Sequence, residues 1–205
     1  MRSVVIIPAR YESSRFPGKP LVKLLGKPMI LWVCELSSKA VGKENVYVAT
    51  DDERISDVVN NSGFNTIMTS SSCLTGTDRL AEAAKKIFSD IYINVQGDEP
   101  LVNPKDIINI IKAKELYYDE VINGYCAISK NEDPNNKNIP KVIFTEDYQL
   151  VYMSRQAIPG FKNTSKAPVK YYKQVCIYAF TSDELSSYAN YGKKSTLEAS
   201  EDIEI

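Results

Sequence analysis

The chain has 205 residues, 43% hydrophobic and 25% charged, with a formal net charge of −1. That length suits a single α/β domain with a smaller lobe, and the ordinary composition excludes disordered and fibrous classes. The balanced charge argues against a nucleic-acid partner, and no apolar run approaches the roughly 20 residues of a membrane span.

No signal-peptide stretch precedes the first strand. Four cysteines, Cys34, Cys73, Cys126 and Cys176, lack C-x-x-C spacing and read as reduced thiols of a cytoplasmic protein. The chain contains no histidine. Ser-His-Asp and Cys-His triads are therefore excluded, and any metal is expected to be a hard, oxygen-ligated one.

The first strand, Val4-Val5-Ile6-Ile7, is short and β-branched and runs into a loop carrying Arg10, Arg15 and Lys19. Ser13, Ser14, Gly18 and the prolines at 8, 17 and 20 share that loop. A stiffened cationic loop behind a buried strand is how α/β proteins present a phosphate site. A helix is expected over 28–39, a strand over 45–50, and a helix from 51 to about 61, closed by Gly63. Asp51-Asp52-Glu53 reads as dipole-favouring acids at that helix start rather than a metal site. A third strand covers 65–69. Thr77-Asp78 is expected to cap the next helix, with Leu80, Ala81, Ala84, Ile87 and Phe88 on its apolar face. A strand over 91–95 and a helix over 104–116 complete four βα alternations, the pattern of a mostly parallel sheet with helices on both faces.

The second half differs. Strands are expected over 121–129, 141–144, 150–153 and 171–180, with a polar excursion over 130–138, a hairpin turn at 146–148 and a helix over 182–191. This suits antiparallel strands that extend the sheet or build a dimerisation lobe. The whole reads as one domain of two halves, residues 1–120 and 121–205. Trp32, Phe88 and the isoleucines of 107–111 are assigned to the core, and Cys176 to packing.

Three loops follow parallel strands and should meet at one sheet edge. The first is cationic, the second (70–79) is rich in hydroxyls, and the third, Gln96-Gly97-Asp98-Glu99-Pro100, is acidic. Cations, donors and a carboxylate together are what a nucleoside triphosphate with Mg²⁺ requires. Neither G-x-x-x-x-G-K-[ST] nor G-x-G-x-x-G occurs, which argues against P-loop ATPases and dinucleotide dehydrogenases.

The blocks Ile6-Ile7-Pro8-Ala9-Arg10-Tyr11, Pro17-Gly18-Lys19-Pro20-Leu21, Gly76-Thr77-Asp78-Arg79, Asn94-Val95-Gln96-Gly97-Asp98-Glu99-Pro100 and Ser154-Arg155 resemble, in this order, the CMP-Kdo synthetase (3-deoxy-manno-octulosonate cytidylyltransferase) family. The resemblance implies a Rossmann-like nucleotide-diphospho-sugar transferase fold and a homodimer. It also implies CTP-dependent activation of a 3-deoxy-ulosonic acid for lipopolysaccharide. By that resemblance Arg10, Arg15, Lys19 and Asp98 are catalytic, and Asp98 ligates Mg²⁺. Ala9, Arg10, Ser14, Arg15, Lys19, Thr75, Arg79 and Gln96 face the nucleotide. Gln96, Ser154, Arg155, Gln174, Tyr178 and Glu201 face the sugar acid.

Two departures stand out. Gln174 occupies the place of the family's usual sugar-facing histidine, which makes 8-amino-Kdo or another ulosonic acid a candidate substrate. Family members also continue past the block at 197–205, and their second metal-binding aspartate lies in that continuation. Two other readings fit the same residues: a nucleotidyltransferase for a different acceptor (another sugar acid or a phosphonate), or a catalytically silent nucleotide-binding homologue.

Overall fold

The computed structural model describes residues 1–12, 16–163, 165 and 170–203. In chain order the elements are β1 (Ser3–Ala9), β2 (Lys23–Leu24), β3 (Lys27–Pro28), α1 (Met29–Val41), β4 (Val46–Thr50), α2 (Glu53–Asn61), β5 (Asn65–Met68), α3 (Gly76–Ala84), β6 (Ile91–Val95) and α4 (Pro104–Leu116). There follow β7 (Ile122–Ala127), β8 (Lys141–Phe144), β9 (Leu150–Ser154), β10 (Tyr172–Phe180), α5 (Ser182–Tyr191) and α6 (Thr196–Glu201). The chain divides into two compact units, Met1–Ile122 with Cys176–Gly192 and Asn123–Val175 with Lys193–Ile205. β10 belongs to both, its first four residues to the second unit and its last five to the first.

In the first unit the strand order is β5-β4-β1-β6-β10. β5, β4, β1 and β6 are parallel, and β10 runs antiparallel to β6. Val4, Val5, Ile6 and Ile7 of β1 are all fully buried. A continuous apolar run is needed here because both sheet faces are covered. Val4 and Ile6 face Leu80 and Ala81 of α3 and Leu185 of α5, while α1 packs on β1 and β4 and supports α4.

Two expectations are corrected. Helix α3 is capped by Thr75, not by Thr77-Asp78: the Thr75 side chain accepts from the Asp78 N–H, and Asp78 accepts in return from the Thr75 N–H. Because α3 stops at Ala84, Phe88 escapes the core and is 79% exposed. Trp32 is half-buried, its indole N–H donating 3.0 Å to the Leu24 carbonyl. That bond ties α1 to the β2–β3 ribbon, which was not anticipated.

In the second unit β8 pairs antiparallel with β9 around the expected turn and with the start of β10, which also pairs with β7. Its core is small: Val142, Met153 and Ile203, flanked by Phe144 and Tyr172. Ile203 follows α6, a helix the sequence pattern did not reveal.

Candidate active site

β1 sits between β4 and β6, so successive connections leave it in opposite directions and open a crevice at the carboxyl ends of β1 and β6. The register Ile6↔Asn94, continued by two residues, sets Pro8 beside Gln96. A Cβ on Gly97 would lie 2.9 Å from the Pro8 carbonyl oxygen, so only glycine lets the acidic loop come this close to the end of β1. A Cβ on Gly76 would lie 3.4 Å from both the Gln96 amide and the Pro8 ring. The three loops expected to converge therefore meet around Pro8.

Within this convergence the Lys19 ammonium donates to the Asp98 carboxylate, and both side chains are nearly half exposed. Lys19 opens a single 3-10 turn whose next residue, Pro20, is buried. Ala9 is buried at the strand end, Arg10 is exposed, and Gln96 is half-buried. Ser14 and Arg15 lie outside the described residues. Thr75 places its hydroxyl 3.2 Å from that of Tyr188 while capping α3. Arg79 is only 3% exposed and donates to Thr69 Oγ1 and to Asp51 Oδ2 (3.1 Å). Its charge fastens α3 to the ends of β4 and β5. Tyr178 is a buried core residue opposite Asn94 in the β6–β10 register. Cys73 in the hydroxyl-rich loop is no nucleophile, since burial and then its bond to Glu82 push the thiol up to about 11.

In the second unit Ser154, Arg155 and Glu201 come together. The Glu201 carboxylate accepts from the Arg155 N–H (2.9 Å), the Ser154 hydroxyl (2.7 Å) and the Tyr152 hydroxyl (3.0 Å). These bonds, led by that of the Arg155 amide, hold it below the usual carboxylate range. The Arg155 guanidinium donates to the carbonyls of Glu201, Lys137 (2.9 Å) and Asp202 (2.6 Å), fastening the end of α6 to β9. Lys141 is fully buried, donating to the carbonyls of Asn136 (3.0 Å) and Arg155 (2.6 Å). Burial, and then the Arg155 charge, lower its pKa. Gln174 is 8% exposed, with its backbone N–H on the Pro140 carbonyl at 3.0 Å.

Asp98 suits a hard divalent cation, being an exposed carboxylate beside a cationic loop. Among the described residues no group of three or more acidic, histidine or cysteine side chains could hold a metal. A cation at Asp98 would take its remaining ligands from phosphates and water, as Mg²⁺ commonly does.

A family model described as cytidylyltransferase matches residues 4–204. The chain belongs to the cytidylyltransferase family. Among its relatives is an 8-amino-3,8-dideoxy-manno-octulosonate cytidylyltransferase of Shewanella sp. (strain W3-18-1), 41% identical over 195 residues, covering 92% of this chain and 78% of the relative. A 3-deoxy-manno-octulosonate cytidylyltransferase of Escherichia coli is 41% identical over 189 residues, covering 92% and 76%. The structure of CMP:2-keto-3-deoxy-manno-octonic acid synthetase complexed with CTP superposes with a TM-score of 0.90 at 40% identity, covering 99% of this chain and 83% of that one. This cytidylyltransferase is thus a nucleotidyltransferase enzyme, and its mostly parallel α/β fold is that of the structural relative.

Sequence reasoning missed several residues that shape the site. The side chain of Asn94 is fully buried two residues before Gln96, with no partner among the described residues. Its signals were its place at the head of the Asn94–Pro100 block and its position as a lone asparagine inside an apolar strand. Asp52 at the start of α2 reads from sequence as dipole chemistry alone and Arg54 was not singled out, yet the Arg54 guanidinium lies 3.3 Å from the centre of the Tyr11 ring.

Proposed function

We propose that the enzyme activates a 3-deoxy-ulosonic acid of the Kdo or 8-amino-Kdo type with CTP, giving the CMP-sugar and pyrophosphate for lipopolysaccharide. The observation that carries this reading is the Lys19–Asp98 pair at the β1/β6 crevice, in a chain whose relatives bear those substrates in their names. Lys19, with Arg10 and Arg15 on the same loop, binds the triphosphate oxygens. Ala9, Ser14, Thr75 and Gln96 line the nucleotide. Arg79 acts through its bonds to Asp51 and Thr69, setting the start of α3.

The sugar's anomeric hydroxyl forms the new bond to the α-phosphorus while the bond to the bridging oxygen of pyrophosphate breaks, and the hydroxyl proton passes to solvent. With no histidine in the chain, rate enhancement comes from positioning and from cations facing the developing charge. Bound Mg²⁺, held by Asp98, would neutralise phosphoryl oxygens. Lys19 leaves Asp98 for the phosphates when nucleotide arrives.

Ser154, Gln174 and Glu201 of the second unit serve the sugar acid, while Tyr178 packs in the core of the first. Arg155 serves the sugar acid by holding Glu201, since its guanidinium already meets three carbonyls. Gln174, an amide that both donates and accepts without becoming cationic, favours the 8-amino acceptor. A homodimer built on the second unit is supported by its exposed Tyr125, Tyr148, Leu150 and Val151. A cytoplasmic setting is supported by the four cysteines, which are widely separated and lack C-x-x-C spacing.

The test is pyrophosphate release from CTP with Kdo, 8-amino-Kdo, other sugar acids and a phosphonate as acceptors, for the wild type and Asp98→Asn. Turnover with an octulosonic acid, lost in Asp98→Asn while the melting temperature holds, is expected. Near-normal turnover of Asp98→Asn would remove Asp98 from the metal site. CTP binding without turnover on any acceptor would favour a silent homologue.

A further inference from the structure

The Tyr11 ring has two close neighbours, Gly18 and Arg54. A Cβ on Gly18 would lie 3.2 Å from the ring, so the Gly18 backbone packs against it, and the Gly18 N–H donates 2.8 Å to the Tyr11 carbonyl. Gly18 has φ +71, a conformation that favours glycine. Lys19 follows at once. The Arg54 guanidinium lies over the ring, 3.3 Å from its centre. Arg54 is itself aligned by the N-cap of α2: its Nε and Nη2 reach the two Asp52 carboxylate oxygens at 2.9 and 2.6 Å, and its backbone N–H reaches Oδ1 at 2.9 Å. β1 and β4 are adjacent and parallel, with Ala9 beside Thr50, which brings Tyr11 and Arg54 to the same sheet edge.

We infer that Arg54 is a positioning residue for the nucleotide-binding loop, bracing Tyr11 so that Gly18 and Lys19 are held ready for the triphosphate. This rests on the assignment of Lys19 to the triphosphate made above. Asp52 engages the Arg54 Nε and Nη2 with a two-point fork. What Arg54 supplies to the loop is a cation over an aromatic face, an effect of about two- to fivefold on affinity at an exposed site.

The experiment measures CTP binding by calorimetry and steady-state pyrophosphate release for the wild type, Arg54→Ala, Tyr11→Leu, Tyr11→Phe and the Arg54→Ala/Tyr11→Leu double variant. Arg54→Ala and Tyr11→Leu are expected to raise Kd and KM for CTP by about two- to fivefold, with kcat within twofold of wild type. Tyr11→Phe, which keeps the ring, restores the wild-type KM. The double variant is no weaker than the worse single one, because both act through one contact. Unchanged CTP affinity in Arg54→Ala, or additive losses in the double variant, would overturn the inference while leaving the nucleotide assignment intact. A wild-type protein that binds no CTP would instead overturn that assignment, and this inference with it.

Discussion

Gly97→Ala probes the link between sheet packing and chemistry. The new methyl would sit 2.9 Å from the Pro8 carbonyl oxygen and 3.3 Å from Ile30 Cδ1, and the oxygen belongs to backbone at the end of a buried strand. An ordinary carbon–oxygen contact is longer by about 0.5 Å, so the acidic loop must retreat by that amount. Overpacking of this kind costs about 1–3 kcal/mol, and the lower entropy of the unfolded alanine chain offsets about 0.4–1 kcal/mol of it. The net loss of about 1–2 kcal/mol lowers Tm by roughly 2–8 °C for a chain of this length. Asp98 is the next residue, and since a misplacement of about 1 Å can cost about 10²-fold, a shift of half that should lower kcat/KM about tenfold. Thermal melts and pyrophosphate release measure both. Gly26→Ala is the control: its φ is +83 with nothing within 4 Å, so stability falls while kcat/KM does not. A Gly97→Ala enzyme with wild-type kcat/KM and Tm would refute the packing argument.

Lys114 is fully buried and donates to both Glu184 carboxylate oxygens and to the carbonyls of Tyr118 and Glu120, each at 2.7 Å. Lys114→Met strands that carboxylate and should cost about 3–5 kcal/mol, with part recovered in Lys114→Met/Glu184→Gln. An unchanged urea midpoint in the single variant would contradict this. Glu132 is held down to about 2 by its hydrogen bond to Lys173, then by the Ser129 amide. A depressed folded pKa means its contribution is complete above the unfolded value of about 4.3 and disappears as pH falls toward about 2. Urea midpoints at pH 6 and pH 3 should therefore differ less for Glu132→Gln than for wild type. Equal differences would exclude the pair as an acid-sensitive tie.

Much of the site was legible because local chemistry and chain order coincide. A buried β-branched strand ending in Pro8, a cationic loop and an acidic loop after β6 are sequence features, and parallel βα alternation brings such loops to one edge. The cap of α3 was misplaced by two residues although Thr75 and Asp78 carry the capping-box spacing, because Thr77-Asp78 offered a competing cap. Arg79 and Arg155 were assigned as ligands by the family resemblance. Their partners, Asp51 at one and the carbonyls of Lys137, Glu201 and Asp202 at the other, are far away in sequence and leave no local signal.

From the sequence alone come the α/β class, the order of the elements other than β2, β3 and α6, the exclusion of histidine-based chemistry and the family resemblance, since each depends on residue type, periodicity or motif. Only the tertiary structure decided that Lys19 reaches Asp98, that Arg54 stacks on Tyr11, and that Gly97 is needed against Pro8. These are distances between segments well separated along the chain. Sheet register fixes them, and no local pattern encodes it.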